Sequence, residues 1–167
     1  MKYLLRPLLF MALISLTGCL DENSKDRLDE QQVYTTDKDV YVNAVVTLYN
    51  YIGGDKDSEG LQGTYRGVYD YNTFTTDEAI IPIRGGDWYD GGFWADLYTH
   101  NWAEDSKPLY DTWKYLYKVI VFSNDGLSTI ERHKQLLTDE QYKTYKAEVR
   151  AIRALYYYYL MDMFGNI

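Results

Sequence analysis

The chain has 167 residues, and its 25 acidic side chains against 17 basic ones leave a formal charge of −8. That balance excludes a nucleic-acid partner, whose binding needs clustered cations to displace counterions. It equally excludes electrostatic attachment to anionic lipid head groups.

In chain order, Lys2 and Arg6 open an apolar run over residues 4–16, and Thr17 and Gly18 lead into Cys19, the one cysteine. The run is shorter than the ~20 residues that cross a bilayer core, so it reads as an export signal. A plain signal needs no thiol at its end, and Leu16-Thr17-Gly18-Cys19 resembles a bacterial lipobox, in which the cysteine is acylated and becomes the mature N-terminus. Two or more acyl chains hold a protein durably on a membrane, at ~0.8 kcal/mol per buried methylene. Without residues 1–18 the chain keeps 15 basic and 25 acidic residues and has no cysteine pair for a disulfide. Stability must then come from packing. The division expected is 1–18 signal peptide, 19–36 acylated N-terminus and flexible acidic tether, and 37–167 helical body.

Apolar residues at Tyr41, Ala44, Val45, Leu48, Tyr49 and Ile52 follow helical spacing, with Asp37 as the expected N-cap and Gly53-Gly54 as the end. Helical periodicity lapses over 53–106, where glycines and aromatics crowd together. Long loops with one short helix near 93–98 are expected there. Pro108 suits the first turn of a second helix reaching about Arg132, with Gly126 an oddity in its middle. The third helix starts at a capping box, Thr138-Asp139-Glu140-Gln141, with Gln141 at N3, and ends at Gly165. The last two make an antiparallel hairpin of the kind that stacks in helical repeats. The run Tyr156-Tyr157-Tyr158-Tyr159 is aromatic on every face and implies burial on more than one side. With no evident repeat and few helices, the chain reads as the N-terminal piece of a longer protein.

Motifs for chemistry are sparse. Asp55-Lys56-Asp57-Ser58-Glu59-Gly60 imitates the start of a calcium-binding loop, but Arg66 stands where the bidentate glutamate belongs, so no metal is assigned. Two isolated histidines and one lipidated cysteine leave no zinc site and no activated nucleophile. No cofactor is implied. Acids among aromatics, including Asp77, Glu78, Asp87, Asp90 and Asp96, are the only support for a glycosidase pair.

Taken together, four segments in order resemble the SusD/RagB family of outer-membrane nutrient-binding lipoproteins of Bacteroidetes. They are Cys19 followed by Asp21-Glu22; Thr76-Asp77-Glu78-Ala79-Ile80-Ile81-Pro82; Arg84-Gly85-Gly86-Asp87-Trp88-Tyr89-Asp90-Gly91-Gly92 leading to His100-Asn101-Trp102; and the helix from Ala147-Glu148-Val149-Arg150 through Tyr156-Tyr157 to Phe164-Gly165. Asn166 and Ile152 depart from the family's commoner Asp and Phe, and the chain is far shorter than family members. The resemblance implies an all-α, SusD-like fold of tetratricopeptide-like helix pairs with a long glycine- and aromatic-rich loop insertion. It implies a non-enzymatic lipoprotein, lipid-anchored in the outer membrane and facing the cell surface. Such a protein binds oligosaccharide, polysaccharide or another nutrient and partners a TonB-dependent, SusC-like transporter. Aromatic faces and hydroxyl-gripping side chains make Trp88, Trp102, Asp87, Arg84, Asp77, Trp94, Tyr89, Asn101 and His100 the candidate ligand contacts, although Trp94 sits among helical residues and also suits a core. Alternative readings are a membrane-anchored glycoside hydrolase and a purely structural lipoprotein.

Overall fold

A computed structural model describes residues 28–53, 61, 67–86 and 89–167. The lipidation residue Cys19 with its signal, the acidic turn 55–60, and Asp87 and Trp88 lie outside the described residues. The chain divides into two units, Met1–Val33 and Tyr34–Ile167. In the first, the described part is a single helical turn, α1 (Glu30–Val33), inside the segment read as a tether. The other elements belong to the second unit.

Helix α2 runs in three parts: α-helical Asp37–Tyr41, a π turn over Val42–Val46, and α-helical Thr47–Gly53. Its N-cap is Thr36, one residue before the expected Asp37, because Thr36 and Asp39 form a capping box. The Asp39 carboxylate accepts bonds from the Thr36 hydroxyl at 2.8 Å and the Thr36 backbone N–H at 2.8 Å, and from both donors of Thr35. These bonds, the Thr36 hydroxyl first, lower its pKa from 3.8 to about 2. A depressed carboxylate contributes stability above its unfolded pKa and loses it as pH falls toward the folded value. The first turn of α2 is therefore expected to loosen between about pH 4 and pH 2, read as faster amide exchange at residues 39–41. Asp39→Asn removes that dependence; an unchanged acid profile in the variant overturns the assignment.

The two longest helices are α5 (Lys107–Arg132) and α6 (Asp139–Phe164). The shorter elements are α3 (Val68–Phe74) and α4 (Phe93–Thr99), the latter entered through a 3-10 turn at Asp90–Gly92. Helix α4 matches the short helix expected near 93–98, whereas α3 replaces what periodicity reads as loop. Seven residues behind a glycine cap carry too few turns to display a period.

Between α5 and α6, Glu131 meets Lys146, Asn124 meets Arg153 and Tyr115 meets Tyr156, so the helices are antiparallel. The Thr138–Gln141 capping box is present as read, and a 3-10 turn at Lys134–Leu136 fills the link. Helix α2 lies along this hairpin, parallel to α6. Gln141 donates to Asp37 at 2.6 Å, Tyr41 packs on Tyr145 with ring centroids 4.7 Å apart, and Tyr49 donates to Glu148 at 3.1 Å. The seam buries Val40, Val45, Leu48, Leu116, Val149 and Leu160, among others.

Gly126 explains its own presence mid-helix. A Cβ there would lie 2.8 Å from the Ala44 carbonyl oxygen, inside the π turn of α2. The two backbones approach too closely for any side chain. Of the four consecutive tyrosines, Tyr156 is buried and Tyr159 half-buried, while Tyr157 and Tyr158 are exposed. A second, smaller apolar cluster joins α3 and α4 through Tyr71, Trp94 and Leu97. Leu109 from the start of α5 and Met163 from the end of α6 pack against it. This junction at one end of the hairpin positions the candidate site.

Candidate functional site

Two adjoining grooves open at that junction. One, of about 370 Å³, lies between α3, the exit of α4 and the end of α6, and its walls include Tyr71, Asn72, His100, Trp102, Asp162 and Phe164. The other, of about 500 Å³, lies between the 101–106 turn and the hairpin, walled by Trp102, Glu104, Leu109, Tyr110, Trp113 and Phe164. Trp102, Leu109 and Phe164 are common to both. Volumes of this order fall in the range of small-ligand sites, ~300–1,000 Å³.

The local backbone sets Trp102 in place. Helix α4 ends at His100, which takes the left-handed conformation at φ 56°. A non-glycine residue there carries local strain. His100 is held by its side chain, whose Nε2 donates to the Thr75 carbonyl at 2.7 Å and so ties the exit of α4 to that of α3. A carbonyl only accepts, which places the ring proton on Nε2. The Asn101 N–H donates to the Asp96 carbonyl at 2.8 Å, finishing the helix. The next residue, Trp102, projects with 45% of its surface exposed, its ring centroid 5.4 Å from that of His100.

Of the residues expected to contact ligand, Trp102 and His100 come together in these grooves. Asp77, Arg84, Tyr89 and Asn101 are exposed but line neither groove. Asp87 and Trp88 lie outside the described residues. Trp94 takes the core position its helical setting allows: it is 7% exposed and packs edge-on against Phe74 and Phe93. Its indole N–H has no acceptor among the described residues. Trp113, read from the helical stripe as core, is half-buried, stacks edge-on against Phe164 at 5.0 Å and also walls the larger groove.

Sequence reading misses Tyr71, Asn72, Glu104, Tyr110, Asp162 and Phe164. The first two sit on the unrecognised α3, whose Val68, Tyr71 and Phe74 at three-residue steps are the only periodic sign. Asp162 and Phe164 come from the far end of the sequence and reach the site only through the hairpin. Among the described residues no three His, Cys, Asp or Glu side chains converge in a way that could hold a metal ion.

Known proteins resemble most of the chain. A family model for SusD-like proteins, described as starch-binding and associating with the outer membrane, matches residues 26–167. Among curated proteins, the starch-binding protein SusD of Bacteroides thetaiotaomicron is 27% identical over 159 residues, covering 88% of this chain and 25% of that protein. The chain thus spans about a quarter of the length of the curated relative it matches. No solved structure matches it. With the ordered motifs, the all-helical architecture and a family match over residues 26–167 in agreement, the chain belongs to the SusD-like family.

Proposed function

We propose that this chain is part of a lipid-anchored outer-membrane protein that binds glycans or related nutrients at the cell surface. It delivers them to a TonB-dependent, SusC-like transporter and carries out no catalysis. Family membership supports the ligand class and the location, and the lipobox at Cys19 supports the anchor. The observation that carries the binding role is Trp102, a large ring left exposed on the wall between two grooves.

A flat indole presents an apolar face to the C–H side of a pyranose, and 45% of the surface of Trp102 stays open to meet one. Asn72, Glu104 and Asp162 offer amide and carboxylate groups to sugar hydroxyls around it. Asp77, Arg84, Tyr89 and Asn101 line neither groove and are left out of this set of proposed contacts.

Trp102→Ala in the whole gene product is expected to weaken polysaccharide binding about tenfold or more. Trp102 is just over half buried, so loss of its side chain is expected to cost about 1 kcal/mol of stability and to leave the fold intact. Retardation in polysaccharide-containing native gels, with circular dichroism as the folding control, measures both. Undiminished retardation by the folded variant removes Trp102 from the site, and new reducing ends in the incubated polysaccharide would replace binding by hydrolysis.

A further inference from the structure

The charge of the groove walls goes further than the glycan reading, on which it rests. Each groove carries one carboxylate, Asp162 in the smaller and Glu104 in the larger, and neither is lined by a lysine or arginine among the described residues. Two lysines near the start of α5 have partners of their own. Lys107 is ion-paired with Asp111, and Lys114 lies over the Tyr110 ring at 5.4 Å from its centroid. His100 directs its Nε2 proton to the Thr75 carbonyl.

Recognition of a uronate or sulfate group is strengthened by a guanidinium or ammonium placed against it, since a charge-assisted pair supplies the strong bonds. These walls instead set like charge against like, in a chain whose formal charge is already −8. An uncharged sugar meets no such opposition. Its hydroxyls donate to Glu104 and Asp162 while Trp102 and Tyr110 take its apolar faces. We propose that this site selects uncharged saccharides and rejects polymers bearing carboxylate or sulfate groups.

Binding by the whole gene product to neutral polysaccharides (starch, mannan, arabinoxylan) is to be compared with binding to polygalacturonate and chondroitin sulfate. The acidic polymers are expected to bind about tenfold or more weaker than the best neutral one at low salt, from like-charge opposition at two carboxylates. The gap narrows between about 0.1 M and about 1 M salt, as the screening length falls from about 10 Å to about 3 Å. The double variant Glu104→Gln/Asp162→Asn is expected to narrow it at low salt too. Acidic polymers bound as tightly as neutral ones, or a gap unmoved by the double variant, overturn the selectivity while leaving glycan capture intact. Binding to none of the polymers overturns glycan capture itself, and the selectivity with it.

Discussion

Replacing Tyr156 by alanine is expected to lower the stability of the fold by about 3–5 kcal/mol, the range for truncating a fully buried large aromatic. Tyr156 is completely buried in the α2–α5–α6 seam. Its ring meets that of Tyr115 edge-on at 5.8 Å, and the two hydroxyls are 2.8 Å apart. The Tyr115 hydroxyl also donates to the Tyr51 carbonyl near the end of α2. One short chain of polar groups therefore ties three helices together inside an apolar core. Burial, reinforced by the bond to Tyr115, raises the Tyr156 pKa far above the usual phenolic value, so its hydroxyl stays protonated in any ordinary buffer.

Two milder variants separate ring from hydroxyl. Tyr156→Phe keeps the ring and leaves Tyr115 its carbonyl partner, so about 1 kcal/mol is expected. Tyr115→Phe takes that partner from both the Tyr51 carbonyl and the Tyr156 hydroxyl, and a buried polar group left unmatched costs about 1–3 kcal/mol. The expected order of denaturation midpoints is wild type, Tyr156→Phe, Tyr115→Phe, Tyr156→Ala. Equal effects of the two Phe variants would falsify the relay as a joint between helices.

Enlarging Gly126 should be the next most damaging change. The added Cβ of alanine would stand 2.8 Å from a backbone oxygen of α2, and 3.6 Å from the Ala44 carbonyl carbon and Cα. No flexible side chain can swing aside, so the helices themselves must separate. Overpacking of this kind costs about 1–3 kcal/mol, against a gain of about 1 kcal/mol from replacing glycine in a helix interior. Gly126→Ala is therefore expected to be modestly destabilising and Gly126→Leu severely so. Gly53→Ala supplies the control, because its Cβ would meet nothing within 4 Å. Chemical denaturation of the three variants tests the idea, and a stabilised Gly126→Ala would sink it.

The contrast between what sequence discloses here and what it conceals has a physical pattern. Features set by neighbours within four residues are readable: the Thr138–Gln141 box, the extent of α5 and α6, and the short helix at 93–99 all stand where local rules put them. The cap of α2 misses by one residue because Thr36 and Asp37 both cap well, and only the reciprocal bond from Asp39 decides between them. Gly126 looks like a weakness of α5 until Ala44, far away in sequence, is brought against it. The grooves are harder still, since α3, the exit of α4 and the two ends of the hairpin each contribute a wall. Trp102 is legible as a candidate from its company of His100 and Asn101. Its neighbours Tyr110, Asp162 and Phe164 have no local signature that distinguishes them from other helical surface residues.

Helix α2 finds its partners late. The bonds that fasten it to α6 join residues 99 and 104 positions apart, Tyr49 with Glu148 and Asp37 with Gln141. At synthesis rates of about 5–20 residues per second, some 5–20 s separate the appearance of α2 from that of its docking surface. A helix in a protein draws most of its stability from tertiary packing of its apolar face. Helices α5 and α6, adjacent in sequence, can close on each other as soon as both exist, and α2 then folds down onto a finished template. Helix α2 waits on the appearance of α6 to settle.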